Sequence, residues 1–283
     1  MESDGQSEQK IPIVATLTVE GSHMTVDFSE SAAQVAGNIN AVEAIVRSAT
    51  WYTVRLLAED DIPVNHGCFE PVTVITRSGS ILNPQFPAAT SAGNVETSQR
   101  IVDVVLGALA QALPDKIPAA SQGTMNNVTI GGITHSRDNA VQSFVYYETI
   151  GGGHGAGPLG NGIGGRHSHM TNTLNTPVEA IEYTFPMRVL EYGLRDKSGG
   201  KGKCRGGDGV RRTYQFLSPA TVTVNSERRI NTPYGLHGGK PGQPGVNQLE
   251  QNGKTCKLGG KHSIQVKEGD KLIIETPGGG GWG

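Results

Sequence analysis

Apolar and polar positions alternate in two different periods along this chain, and the change of period marks out its elements. "IPIVATLTVEGSHMTVDFS" alternates apolar and polar residues on both sides of Gly21-Ser22, which predicts a β-hairpin. "AVEAIVRSATWYTVRLLAED" then places Val42, Ile45, Val46, Val54 and Leu57 at helical spacing. A loop with Pro63, Asn65 and Gly67 leads into the strand pattern "EPVTVIT". "GNVETSQRIVDVVLGALAQALP" carries the strongest helical signal: Asn94 is the expected N-cap, Glu96 and Asp103 favour the early turns, and Pro114 ends it. Its second half is apolar almost all round, so burial is expected.

"QSFVYYETI" reads as a strand feeding the loop "GGGHGAGPLGNGIGGRHSHM". "TPVEAIE" predicts a short helix. "MRVLEYGLR", "GVRRTYQFL", "TVTVNSER", "SIQVKEG" and "KLIIETP" then predict strands separated by Gly and Pro turns. The expected class is α+β, with a buried helix in the N-terminal half and a β-rich, Gly-rich C-terminal half. The expected divisions are a mobile lead-in over 1–10, an α+β part with Gly-rich pocket loops over 11–176, and a β-rich part over 177–283.

Composition sharpens this picture. Of 283 residues 40 are glycine, concentrated after about residue 150, and aromatic residues are only 5%. No Gly-X-Y period exists, and Val/Ile/Leu/Tyr runs between the glycines argue against simple disorder. The closing stretch "KLIIETPGGGGWG" is expected to be ordered: "KLIIE" anchors it, Trp282 fills an apolar niche, and the glycines pass close to the pocket loops. The net charge of −2 is interspersed, so no nucleic-acid partner is indicated, and no apolar run is long enough to span a bilayer. The first ten residues do not form a signal peptide. Cys68, Cys204 and Cys256 make neither a zinc spacing nor a disulfide framework, which suits a cytoplasmic location.

Candidate chemistry is scattered over several loops. Gly155-Ala-Gly157-Pro-Leu-Gly160 matches a dinucleotide-loop pattern, but Pro158, Asn161 and Gly162 cannot open the helix that such a loop requires. In a strand, His167 and His169 would share one face, as two metal ligands must, with Glu148 or Asp208 as a third; hydrogen bonding to loop backbone is the simpler alternative. Ser121, Gly123, Asn126 and Asn127 in "SQGTMNN" suit an amide, a carboxylate or an oxyanion, or else cap a polar turn. Cys68, two residues after His66, is either a nucleophile or a small apolar residue. Arg228 and Arg229 in "SERR" could fork around a carboxylate or pair with Glu227. Asn172 joins the candidate substrate contacts. Such small polar groups flanked by glycine are expected to converge on a pocket.

These stretches, with "DIPVNHGCFEPV", "LNPQFPAATSAGNVETSQRIVDVVLGALAQALP", "YYETIGGGHGAGP", "HSHMTNTLNTPVEAIE", "RGGDGVRR", "PYGLHGGKPG" and "ETPGGGGWG", run from about residue 24 onward in an order that resembles the C-terminal part of the hydantoinase B/oxoprolinase family. The resemblance implies ATP-dependent opening of a small cyclic amide such as a hydantoin or 5-oxoproline. ATP would be bound by a hydantoinase A-type ATPase subunit that phosphorylates the substrate, not by this chain. Related proteins are subunits of ATP-dependent ketone carboxylases, an alternative role; a third is a non-catalytic scaffold completing a partner's site. Family members are usually longer at the N-terminus, which implies a natural split subunit with a separate N-terminal half, a truncated gene product or a mis-called start, and places the ligands of any divalent metal mainly outside this chain. Ser29-Glu30-Ser31 stands where the family often has Ser-Gly-Thr. For ring opening, His154, His167 or His169 is the expected base or proton relay, oriented by Glu148. Ser121, Gly123, Asn126, Asn127, Asn172 and Arg228 are the expected substrate contacts.

Overall fold

The computed structural model describes residues 1–58, 62–135 and 141–283, excepting the side chain of His135. Their contacts divide into two units, residues 1–118 with 169–171, and residues 119–168 with 172–283. The division expected at residue 176 therefore falls inside the second unit.

In the first unit, β1 (Thr16–Glu20) and β2 (His23–Asp27) form the expected hairpin. Gly21 supplies the turn with φ +59°. β2 then pairs in parallel with β3 (Val72–Ile75). Helix α1 (Glu43–Arg55) ends before Glu59–Asp61, which lie outside the described residues, so the helical pattern runs on further than the helix. It packs on α2 (Ser98–Ala112), which buries Ile101, Val102, Val105, Leu106 and Leu109. Asn94 does not cap α2. A π-helical turn over Gly93–Thr97 precedes the helix instead, and Ser98 Oγ donates to the Asn94 carbonyl. Glu96 is consequently buried rather than displayed at a helix start. The lead-in is held by specific contacts: Asp4 is buried, and its carboxylate accepts from the main chain of Gln6, Ser7 and Gly37.

The second unit stacks two antiparallel sheets. One has the order β11-β8-β4-β5, from β4 (Asn127–His135), β5 (Val141–Glu148), β8 (Ala220–Asn225) and β11 (Lys261–Val266). The other has the order β10-β9-β12-β7-β6, from β6 (Met187–Arg195), β7 (Gly209–Phe216), β9 (Val246–Gln251), β10 (Lys254–Leu258) and β12 (Lys271–Glu275). Helix α3 (Val178–Thr184) packs on β6. Val128, Ile130, Val210, Tyr214, Phe216, Val222, Leu249, Leu272 and Ile274 are members of the core between them. The α+β class holds.

Main chain, not side chain, fills one end of this unit. Residues 276–281 are buried. Their amides bind other glycine-rich loops: Gly278 N–H to the Gln243 carbonyl (3.1 Å), Gly279 N–H to Gly207 (2.9 Å), Gly280 N–H to Ala120 (2.8 Å) and Gly281 N–H to Lys240 (2.9 Å). Trp282 exchanges two backbone hydrogen bonds with Cys204, and its ring lies 4.7 Å from that of His237. A Cβ on Gly279 would sit 2.7 Å from Gly155 N and closer still to the His154 carbonyl. This is the packing logic of collagen, where only glycine fits a crowded axis, and it places the tail beside the loop that carries His154.

Candidate active site

The tail, the 151–165 loop and the Ser121–Asn127 stretch meet in the second unit. Ser121 Oγ accepts the Gly155 amide (3.1 Å), and Gln122 N–H donates to the Gly153 carbonyl (2.8 Å). Asn126 stands in left-handed backbone at φ +50°, as Gly123 does at +63° and Arg228 at +62°. Non-glycine residues occupy that region at a cost and only where their surroundings demand it. Here the demand is visible. Asn126 Nδ2 donates to Gln122 Oε1 (2.8 Å) and the Ile150 carbonyl (2.9 Å), and its Oδ1 accepts from Arg229 Nη1 (2.8 Å). Arg229 also reaches Asn247 Oδ1 through Nε (3.1 Å) and Nη2 (2.8 Å), and the Glu227 carbonyl (2.7 Å).

Two expectations change as a result. Both amide hydrogens of Asn126 are already donated to protein acceptors, so its side chain is a buried tie between loops rather than a donor held ready for an oxyanion. Asn127 is similarly engaged: Nδ2 donates to the Asn225 carbonyl (2.8 Å) and Oδ1 accepts from Tyr147 (2.6 Å). Arg228 Nη1 donates to the Thr232 carbonyl (2.6 Å), while Arg229 forks around the Asn247 amide oxygen. Gln122 and Asn247, which complete this network, were not among the residues that the sequence motifs singled out.

His169 belongs to the first unit, at φ +54°, with Nδ1 3.5 Å from the Tyr52 hydroxyl. "HSH" is not a strand, so the strand alternation that would set His167 and His169 on one face is not there. His154 and His167 do meet. His154 Nε2 lies 2.8 Å from the His167 carbonyl, which only accepts, so Nε2 carries the proton and Nδ1 the lone pair of the neutral ring. His167 Nε2 contacts Thr173 Oγ1 (3.3 Å), which pairs with Thr149 Oγ1 (2.9 Å). Burial lowers the His167 pKa below its ordinary value, favouring the neutral ring over the charged one.

Glu148 touches neither histidine. It forms a buried ion pair with Arg212 (3.0 Å), whose side chain is 0% exposed and whose guanidinium lies over the Tyr192 ring. Asn175 Nδ2 links Glu148 Oε2 (2.9 Å) to the Thr149 carbonyl (2.7 Å). Among the described residues, hydrogen bonds lead from Glu148 to the His167 ring through Asn175, Thr149 and Thr173. Burial pushes its carboxyl up against the pull of Arg212, and burial, then the Glu148 charge, pushes the Tyr146 phenol up.

Four amides of the GxGxxG stretch are bonded within the fold: Gly155 to Ser121 Oγ, Ala156 to the Gly280 carbonyl, and Gly157 and Gly160 each to the other's carbonyl. No helix follows them, so they offer phosphate no cradle. Asp208, the other suggested metal ligand, binds Arg205 and the Gly199 amide. Among the described residues no three His, Cys, Asp or Glu side chains are grouped to hold a metal. Cys68 Sγ lies 3.1 Å from the Asn65 carbonyl in a 3₁₀ turn. No helix among the described residues is long and apolar enough to cross a membrane.

This chain belongs to the hydantoinase B/oxoprolinase family, whose model matches residues 1–283. It is 45% identical over 275 residues to a 5-oxoprolinase of Dictyostelium discoideum, a match covering 97% of this chain and 21% of that protein. It is 43% identical over 274 residues to 5-oxoprolinase 1 of Arabidopsis thaliana, covering 96% of this chain and 20% of the other. Among solved structures, an ATP-dependent caprolactamase from Pseudomonas jessenii superposes with a TM-score of 0.83 at 26% identity, over 95% of this chain and 48% of that one. The chain therefore spans about a fifth to a half of the length of these relatives.

Proposed function

We propose that this chain supplies part of an ATP-dependent hydrolase that opens a small cyclic amide, 5-oxoproline or a hydantoin. What carries the reading is the family match along the whole chain, supported by the names of relatives that act on cyclic amides. A hydantoinase A-type ATPase is the proposed partner, together with a separate N-terminal half. The absence of a phosphate cradle in the GxGxxG stretch fits that division of labour. ATP held by that partner supplies the phosphoryl group that makes the unreactive amide carbon open to attack. This chain's part is to position and deprotonate water and to exclude bulk solvent. His154 is the proposed base, through the lone pair at Nδ1, with His167 behind it as the group that orients the ring. His169 remains the candidate proton relay. The Gly123 main chain takes the oxyanion role in place of Asn126, and Ser121, Asn172 and Arg228 remain candidate substrate contacts. If a divalent metal takes part, its ligands lie mainly outside this chain. The cytoplasm is the proposed location, in keeping with three free cysteines.

The test is reconstitution of the full assembly with ATP and 5-oxoproline or hydantoin, following ring opening and ADP together. General-base loss costs on the order of 10²–10⁴ in rate, so His154→Gln should lower kcat by about that factor. Unchanged turnover in His154→Gln would remove the base assignment. Carboxylation of a ketone that requires bicarbonate, with no ring opening, would remove the hydrolase assignment.

A further inference from the structure

The two sheets of the second unit present four edges, on β5, β11, β6 and β10. An edge exposes unpaired amides and carbonyls and recruits another strand unless charge, a bulge or a cover prevents it. Three of the edges are guarded. β10 carries Lys254 and Lys257, β11 opens with Lys261 and His262, and β6 carries Arg188, Glu191 and Arg195 with a register shift between Val189 and Glu191. β5 is different. Its sequence, Val-Gln-Ser-Phe-Val-Tyr-Tyr-Glu, has one charge, and that is the Glu148 carboxylate buried against Arg212. Its pairing with β4 is unbroken from Val128↔Glu148 to His135↔Val141, so no bulge turns it away. β5 stands at the end of its sheet, with β4 as its hydrogen-bonded neighbour. On its outer face Val141, Val145 and Tyr147 are 67%, 72% and 52% exposed, beside Ile133 at 61%.

We infer that β5 pairs antiparallel with β5 of a second copy of this chain, about a twofold axis through Phe144. The occupant follows from the strand itself. With no charge on its outer face, homotypic pairing brings no like charges together, and a twofold contact needs only one self-complementary patch. Directly opposed residues in an antiparallel pair share a face. The Phe144 axis satisfies this: Val141 falls opposite the partner's Tyr147 and Ser143 opposite the partner's Val145, each twice. Valine against tyrosine is among the favourable cross-strand pairs. The two four-stranded sheets become one of eight, and the apolar row on each is extended across the join.

The test uses the full chain. Sedimentation over a concentration series should show a monomer–dimer equilibrium, with hydrogen exchange at residues 141–148 slowing as dimer forms. Val145→Lys, at an exposed position, should weaken the dimer about tenfold or more while leaving the melting temperature of diluted monomer unchanged. Ser143→Glu combined with Val145→Lys should restore it, since in this register each glutamate faces the partner's lysine. A chain that stays monomeric with fast exchange in β5 overturns the inference, whatever else that edge binds. So does a dimer indifferent to Val145→Lys, or one that the double variant does not recover.

Discussion

Substituting Gly279 by alanine tests whether the glycine-lined end of the second unit is a rigid part of the structure. The added methyl would lie 2.7 Å from Gly155 N and nearer to the His154 carbonyl, well inside the 3.0 Å that real Cβ contacts respect. The obstacles are main-chain atoms, so no rotamer change relieves them. Gly279 also donates to Gly207 (2.9 Å) and accepts from Gly200 (2.8 Å), and residues 276–281 are buried. Overpacking costs about 1–3 kcal/mol, and each buried hydrogen bond disturbed adds about 1 kcal/mol. The expected loss is therefore about 3–5 kcal/mol. For a unit of this size that is a fall of about 6–20 °C in melting temperature. Gly193, on β6, has open space where its Cβ would stand, and Gly193→Ala should be neutral or stabilise by up to about 1 kcal/mol. Calorimetry of the two variants side by side is the assay. A Gly279→Ala transition within about 1 °C of the parent would refute the argument, because the tail would then be free to move aside.

Glu148→Ala should destabilise the second unit by about 3–5 kcal/mol in urea unfolding, since Arg212 would be left charged at 0% exposure; a loss below about 1 kcal/mol would mean that water reaches the guanidinium. His167 binds its proton less readily folded than at its ordinary pKa of 6.5, so below that value the unfolded chain gains a proton first and stability should fall with pH until the folded ring also titrates. The slope of unfolding free energy against pH in that window should be shallower in His167→Gln, and an identical slope would show that the ring is not buried neutral.

The elements legible in the sequence are those whose period is carried by side chains. The hairpin at Gly21, the apolar face of α2 and the valine-rich β8 show alternation or helical spacing directly. β4 is hidden because Gly131 and Gly132 interrupt "NVTIGGITH". The β9–β10 hairpin is absent from the expected elements although its signal is strong: Asn252 and Gly253 turn it at φ +51° and +72°, the dipeptide that tight hairpins favour. At the site, glycine content shows that loops approach closely, and the sequence names several of the residues that meet there. It does not show what they do. Whether an asparagine donates to substrate or to its own fold depends on partners such as Gln122, Ile150 and Arg229, which come from distant points of the chain. Likewise nothing local to "YYETI" indicates that Glu148 faces Arg212 rather than a histidine.

Because the tail and its neighbouring loops exclude one another through carbonyl oxygens, a damaging replacement there has no second-site suppressor among side chains. Trimming a neighbour cannot make room when the neighbour is already glycine. In a saturation library these positions should stand out as a run accepting one residue type, while core positions such as Val222 or Leu272 tolerate exchange among aliphatics. Genetic variation could then trace the path of the backbone with no structure in view.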